Sequence, residues 1–148
     1  MELTFAQAFH NRQEISNILG GDTQKGIALS RRKRVILLFT NENELYTDYF
    51  YPKGSYDYCM YTGIGRFGHQ DSIENNMYNL NMEVLMHRIT ERNLLLFEKR
   101  ETAFYFVGEY QLLETHQNVQ PDENCQMRRV FVFHLKRVSE KYVIPEEN

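Results

Sequence analysis

The sequence has only two cysteines, no tryptophan and no long hydrophobic run, and these absences exclude several classes of protein. Cys59 and Cys125 lie far apart and neither has a Cys-x-x-Cys partner, so neither a disulfide framework nor a zinc knuckle is predicted. The longest aliphatic and aromatic run, residues 35–39, is too short to span a membrane, and the first residues lack the pattern of an export signal. We therefore expect a cytoplasmic protein with no membrane contact.

Motifs for catalysis, metals and cofactors are also missing. None of the six lysines has an acidic residue two positions before it, which excludes the acidic-x-Lys core of the common restriction-nuclease fold. The five histidines are scattered without metal-ligand spacing, and neither a Gly-x-Ser-x-Gly elbow nor a phosphate-binding Gly-Lys-Ser/Thr loop occurs. We predict a binding protein with no cofactor, no metal and no catalytic residue.

The net charge of −3 is small, but it is unevenly distributed. Five of the ten residues 25–34 are basic and none is acidic, whereas the C-terminal end is acidic and is expected to form a short flexible tail from about residue 140. Arg31, Arg32, Lys33 and Arg34 would contact DNA phosphates on one interpretation. On the other, they are the solvated entry to a strand.

Length and hydrophobic pattern predict one α+β domain over residues 1–148. Asn11 and Glu14 have the spacing of a capping box before a short helix, which Gly20 and Gly21 would end. Helical spacing predicts a main helix within residues 75–92. Strands are expected at residues 35–39, 56–62, 94–98, 103–113 and 127–137, with loops at 40–54 and 117–126. This order predicts a mostly antiparallel sheet curled into a barrel, with two helices beside it.

The most distinctive stretch is residues 61–70, Tyr-Thr-Gly-Ile-Gly-Arg-Phe-Gly-His-Gln, which has three glycines within six residues directly after a strand. Glycine lets a ligand or another main chain approach closely, so this spacing is typical of a pocket wall. A tight connection between a strand and a helix is the structural alternative.

Several segments, taken in order, resemble the SRA-like (SET- and RING-associated) domains of the PUA-like superfamily. The resemblance is to those domains that precede HNH nuclease modules in McrA-type, modification-dependent restriction enzymes. It rests on Gly20-Gly21-x-x-Gln24-x-Gly26-Ile27, residues 35–40, Tyr46-x-Asp48, Tyr61-Thr62-Gly63-x-Gly65, Asn81, Leu96-Phe97-Glu98, residues 104–110 and residues 129–135. The set covers most of the chain.

The resemblance implies a reader that flips a methylated or hydroxymethylated cytosine out of duplex DNA and holds it between two aromatic rings, Tyr46 and Tyr61. Asp48 would accept from the exocyclic amine of the base, and Thr62 with the main-chain amides of Gly63 and Gly65 would meet the rest of its pairing edge. Tyr46 could instead be an exposed loop tyrosine, and Tyr61 a core ring.

Two further residues have roles that the sequence leaves open. Arg66 could fill the gap left by the flipped base, contact a phosphate, or pair with Asp71. Asn81 is expected to make a structural hydrogen bond to the glycine loop. Ile64, Arg66 and His69 depart from the usual residues of the family, which leaves the preferred base open.

No HNH motif occurs in the sequence, so a nuclease is expected either on a separate chain, in a part that has been truncated away, or not at all. The predicted partner is double-stranded DNA carrying a modified base, in a modification-dependent restriction or phage-defence system. Two alternatives belong to other classes: an enzyme that cuts or modifies DNA through an unrecognised site, and a PUA-like RNA-binding or interaction module.

Overall fold

Two helices and ten strands form the part of the chain that the computed structural model describes, residues 1–41 and 48–146. The helices are α1 (Arg12–Leu19) and α2 (Tyr78–Leu85). The strands are β1 (Glu2–Thr4), β2 (Ala8–Phe9), β3 (Ile27–Ser30), β4 (Val35–Thr40), β5 (Tyr49–Tyr51), β6 (Tyr58–Thr62), β7 (Asn93–Arg100), β8 (Ala103–Pro121), β9 (Met127–Ser139) and β10 (Lys141–Val143). No helix in these ranges is long and apolar enough to cross a membrane.

The main sheet is mixed and open. Its strand order is β3-β4-β7-β8-β9-β6-β5, with β2 paired to β8. Strands β4 and β7 run parallel, and the other described pairs run antiparallel. The prediction of an α+β fold with a mostly antiparallel sheet is confirmed, but the prediction of a barrel is wrong. In the described structure β3 and β5 lie at opposite ends of the strand order, so the sheet does not close.

Hydrophobic residues cover both faces of this sheet. In β4, Ile36 and Leu38 belong to one apolar cluster, whereas Val35 and Leu37 belong to a second cluster on the other face. Successive side chains of a strand point to opposite faces, which explains why a strand between two apolar layers is an uninterrupted apolar run. Helix α2 packs on the first cluster through Val84.

Helix α1 begins where the sequence predicts. The side chain of Asn11 accepts a hydrogen bond of 3.0 Å from the Glu14 amide, and Ile15 and Leu19 are buried in the second cluster. The Glu14 carboxylate reaches back to the amide of His10, one residue before the cap. Gly20 follows with a φ of 80°, a conformation that glycine adopts without strain. The first turn of α1 is therefore held rigidly.

Helix α2 is much shorter than the predicted helix at residues 75–92. Residues 86–91 form turns instead, and the buried ring of His87 bonds outside the helix. Its Nδ1 donates to the carbonyl oxygen of Arg92, and its Nε2 accepts from the amide of Leu112 in β8. Burial lowers the pKa of His87, which favours the neutral ring that these two hydrogen bonds require. The helix thus ends at Leu85 because of tertiary contacts, although the helical spacing of apolar residues continues beyond it.

Two predicted loops or tails are partly strands. The loop predicted at residues 117–126 is reduced to a hairpin tip, because β8 continues to Pro121 and pairs with β9. The tail predicted from about residue 140 contains β10, which pairs antiparallel with β1. Tyr142 and Ile144 are buried, so the folded part of the chain extends at least to Ile144.

Candidate functional site

A cavity of about 560 Å³ opens at the ends of β4 and β6. Phe39 and Thr40 from β4 and Tyr61 and Thr62 from β6 line it, together with the residues that follow them in the glycine loop. Its other lining residues are Arg12, Thr23, Gln24, Lys25, Gly26, Asn41, Asp48, Ile64, Gly65, Arg66, Met77, Lys99, Phe104 and Glu123. The structure thereby brings together Asp48, Tyr61, Thr62, Gly65 and Arg66 of the predicted site.

Asp48 presents a half-buried carboxylate to this cavity. Its Oδ1 accepts a hydrogen bond of 2.7 Å from the amide of Thr62, and its Oδ2 accepts one of 2.9 Å from the hydroxyl of Thr40. Burial raises the pKa of Asp48 to about 6, against the opposing effect of the bonds from Thr62 and Thr40. The carboxylate is therefore held in place as a hydrogen-bond acceptor whose charge changes slightly below neutral pH.

Tyr61 lines the cavity but is itself 1% exposed. Its hydroxyl lies 3.0 Å from the carbonyl oxygens of both Gly26 and Phe39, which share its single hydrogen as acceptors. The ring belongs to the first apolar cluster, so it supports the cavity from the core side. The second predicted ring, Tyr46, lies outside the described residues.

The glycines of the loop are required by close contacts. A Cβ atom on Gly63 would lie 2.6 Å from Oε1 of Gln70 and 2.8 Å from Oδ1 of Asn81. Gly65 has a φ of 138°, a backbone conformation that residues other than glycine rarely adopt. Larger residues at these positions would displace the loop that forms one wall of the cavity.

Two buried amides hold the same loop. Asn81 in α2 donates to the carbonyl oxygen of Ile64 at 2.8 Å and accepts from the Ile64 amide at 2.9 Å, a structural contact of the kind that the sequence predicts for it. Gln70 donates to the carbonyl oxygen of Gly63 and accepts from the amide of Phe131 in β9. The cavity wall is thus bonded to both α2 and the sheet.

Basic side chains outnumber acidic ones among the described residues that line the cavity. Arg12, Lys25, Arg66 and Lys99 line it, against the carboxylates of Asp48 and Glu123. Arg66 forms a salt bridge of 2.8 Å with Glu123 at the tip of the β8–β9 hairpin, and not with Asp71, which pairs with Arg129. Such a surplus of cations suits a ligand that carries negative charge, such as a nucleotide.

The basic turn at residues 31–34 lies elsewhere. It joins β3 to β4 at the end of the hairpin opposite to the cavity, and β4 alone is six residues long, or about 20 Å at about 3.3 Å per residue. Arg32, Lys33 and Arg34 instead line a second cavity of about 510 Å³ with Tyr142 and Pro145. The structure therefore does not bring this turn to the predicted base pocket, and its contact with DNA stays a prediction.

Several residues that line the cavity are not predicted by the sequence. Arg12, Phe39, Lys99 and Phe104 come together only through pairing of β2, β4, β7 and β8, so no local sequence pattern indicates them. Gln70 lies within the distinctive glycine stretch. A polar residue at the end of such a loop is the sequence feature that could have indicated its role in holding the loop. Among the described residues no group of three or more His, Cys, Asp or Glu side chains could hold a metal ion.

Comparison with known proteins identifies one matching family model. A family model described as "ScoMcrA-like, SRA domain" matches residues 5–145. A search of the curated proteins found no match.

Solved structures show the same fold. The Type IV phosphorothioation-dependent restriction endonuclease ScoMcrA matches with a TM-score of 0.71 and 20% identity, covering 91% of this chain and 28% of that one. The DNA modification-dependent restriction endonuclease AspBHI matches with a TM-score of 0.70 and 13% identity, covering 93% and 76%. The SRA domain of SUVH5 bound to fully hydroxymethylated CG DNA matches with a TM-score of 0.65 and 17% identity, covering 99% and 94%. The chain thus spans less than a third of ScoMcrA.

Proposed function

The chain belongs to the ScoMcrA-like SRA domain family, and we propose that it reads a modified cytosine in duplex DNA by taking the flipped base into the cavity beside Asp48. The observation that carries this proposal is the Asp48 carboxylate, held by Thr40 and Thr62 inside a cavity of about 560 Å³. Structures of similar fold include the SUVH5 SRA domain with methylated and with hydroxymethylated DNA.

Asp48 supplies the recognition of cytosine. With a pKa of about 6 it is mostly ionised above neutral pH and accepts from the exocyclic amine of the base. Adenine also has such an amine but is larger, and thymine has a carbonyl oxygen instead. On this proposal Thr62 and the loop wall at Gly65 meet the rest of the pairing edge. The prediction for Gly63 is wrong, because Gly63 does not line the cavity and its amide donates to the carbonyl oxygen of Phe131 in β9.

Stacking and hydrogen bonding together offset the cost of flipping. Removing a base from the duplex costs a few kcal/mol, and stacking on an aromatic face returns about 1–3 kcal/mol. Tyr61 is the proposed ring on the core side, and Tyr46 the proposed ring on the other side. Phe39 and Phe104 also line the cavity and add apolar surface to it.

Phosphate contacts come from cations near the cavity mouth. A flipped nucleotide keeps its two flanking phosphates at the surface, and Lys25, Lys99 and Arg66 are exposed residues that also line the cavity. These contacts give affinity without sequence information. In the free protein Arg66 is paired with Glu123, and we propose that DNA takes the place of this carboxylate.

The domain is a reader and not a catalyst on this proposal. Its biological setting would be a modification-dependent restriction or phage-defence system, in which a nuclease domain or subunit cuts the DNA that this domain selects. ScoMcrA and AspBHI, both restriction endonucleases by description, support that setting.

A competition binding assay tests the proposal. Duplexes of one sequence would carry a single central cytosine that is unmodified, methylated or hydroxymethylated, with methyladenine and single-stranded RNA as further competitors. We expect a modified cytosine to compete at least tenfold better than the unmodified duplex. Equal competition by all duplexes, or stronger competition by RNA, would contradict the proposal, and cleavage with magnesium or manganese would indicate an enzyme.

A further inference from the structure

One wall of the cavity is polar and charged where a reader of a methyl group needs apolar surface. Thr23, Gln24 and Lys25 line it together with Arg12. The loop that bears them is ordered by Asp22, whose Oδ1 accepts from the amides of Gln24 at 2.6 Å and Lys25 at 2.8 Å. This wall is therefore a built part of the cavity in the free protein.

Arg12 is the centre of this wall. Its guanidinium carbon lies 3.5 Å from the centre of the Phe39 ring, and its Nη2 donates to the carbonyl oxygens of Asp22 and Lys25, both at 2.8 Å. Phe39 is in turn stacked on Phe97, with ring centres 5.4 Å apart. These contacts hold the guanidinium flat and stationary at the edge of the cavity.

Donors of this guanidinium remain available. Nε and Nη1 of Arg12 make no hydrogen bond with any residue that the structure describes, and burial lowers the pKa of the group. Partial burial of a cation is costly unless its donors find acceptors, and a guanidinium binds oxygen acceptors with charge-assisted hydrogen bonds. An apolar methyl group next to Arg12 would leave these donors without a partner.

We propose that Arg12 makes the cavity selective for cytosine whose 5-substituent carries an oxygen acceptor, a hydroxymethyl or carboxyl group, over 5-methylcytosine. This inference rests on the proposed function, because Asp48 has to hold the amine of the base. The 5-position is next to the amine-bearing carbon of cytosine, so its substituent projects into the same cavity. A volume of about 560 Å³ leaves room for a group larger than methyl.

The test compares substituents of matched size. Duplexes would carry one central cytosine that is unmodified or bears a 5-methyl, 5-ethyl, 5-hydroxymethyl or 5-carboxyl group. Ethyl and hydroxymethyl have nearly the same size and differ in the oxygen, so the ratio of their affinities isolates the hydrogen bond. We expect the wild type to bind the hydroxymethyl duplex about tenfold more tightly than the ethyl duplex, since a hydrogen bond to a charged group is among the stronger ones.

Variants assign this ratio to one side chain. Arg12→Met keeps an apolar stem over Phe39 and should bring the ratio close to one. Arg100→Met is the matched control, because Arg100 also lies over an aromatic ring, that of Tyr105 at 5.1 Å, but does not line the cavity. Its ratio should equal that of the wild type.

Loss of folding is distinguishable from loss of selectivity. Thermal unfolding of each variant would be measured first. If Arg12→Met does not fold, the ratio is measured on Arg12→Lys instead, because lysine keeps the charge but lacks the planar set of donors. A lower hydroxymethyl-to-ethyl ratio in the folded variant supports the inference. An unchanged ratio overturns it.

The two proposals fail in different ways. If methyl and ethyl duplexes bind more tightly than unmodified DNA but hydroxymethyl and carboxyl bring no further gain, the reader function stands and the role of Arg12 is wrong. If no modified duplex binds more tightly than the unmodified one, both proposals are wrong.

Discussion

Asp48 Oδ1 accepts a hydrogen bond of 2.7 Å from the main-chain amide of Thr62, so the last residue of β6 sets the direction of the carboxylate in the cavity. The hydroxyl of Thr40, the last residue of β4, donates to the other oxygen. Two strand ends that are distant in sequence thus hold one acceptor. Because burial outweighs these bonds and raises the pKa of Asp48 to about 6, binding should depend on pH.

Affinity for modified duplex should fall as the pH drops through about 6. Below this value the carboxyl of Asp48 is protonated and loses the charge that attracts the base amine. Competition binding between about pH 5 and about pH 8 at constant ionic strength would measure this. Asp48→Asn, which does not titrate, should bind less tightly at neutral pH and show no such step, and a wild-type step that persists in this variant would assign it to another group.

Tyr61 should contribute both stability and stacking, which two substitutions separate. Tyr61→Phe keeps the ring and loses the hydroxyl contact with Gly26 and Phe39, so we expect a loss of about 1 kcal/mol in the free energy of unfolding and retained selectivity. Tyr61→Leu removes the ring and should weaken binding to modified duplex by about 1–3 kcal/mol. Chemical denaturation and competition binding would be measured together. Equal losses of affinity for modified and unmodified DNA would mean that the ring only packs in the core and does not stack on the base.

Asn81 should be required for the shape of the glycine loop. Asn81→Ala leaves the amide and the carbonyl oxygen of Ile64 buried and unpaired, at a cost of about 1–3 kcal/mol for each group in the free energy of unfolding. Asn79→Ala is the control, since Asn79 lies on the same helix but is exposed. Denaturant unfolding should show a large loss for the first variant and little change for the second. Similar small losses would mean that the loop keeps its shape by other bonds.

The sequence predicts those parts of the fold that depend on residues close together in the chain. Asn11 and Glu14 carry the N-terminal cap of α1, and the apolar run of β4 follows from its burial on both faces. By contrast, the end of α2 at Leu85 depends on His87 meeting Leu112, a contact between residues distant in sequence. The open sheet likewise depends on which strands pair, and the sequence of a single strand does not indicate its pairing partner.

The same distinction applies to the candidate site. The sequence predicts Asp48, Tyr61 and Thr62 because they belong to motifs that resemble a family, and the structure places all three on the cavity. Arg12 is the first residue of α1 and Lys99 lies near the end of β7, and the tertiary fold brings both to the cavity. The basic turn at residues 31–34 was conspicuous in sequence, yet hairpin geometry places it away from the cavity.

Salt dependence should show which cations contact phosphates. Each contact on duplex DNA contributes about 0.9 to the slope of log affinity against log salt. Replacing Lys25 and Lys99 together with Met should flatten that slope by nearly two units while leaving the preference for modified DNA intact. Replacing Arg31 and Arg32 removes the same charge at the other end of the β3–β4 hairpin and should flatten it less. A larger effect from the turn would place the DNA on that surface.

Occupation of the cavity by a flipped base is the central claim, and fluorescence of 2-aminopurine tests it most directly. The fluorescent base would be placed next to a single modified cytosine in the duplex, where its emission is quenched by stacking. At saturating protein we predict a large rise in emission with the modified duplex, because flipping removes the stacking neighbour, and little rise with the unmodified duplex. Saturated binding of the modified duplex without that rise would contradict base flipping.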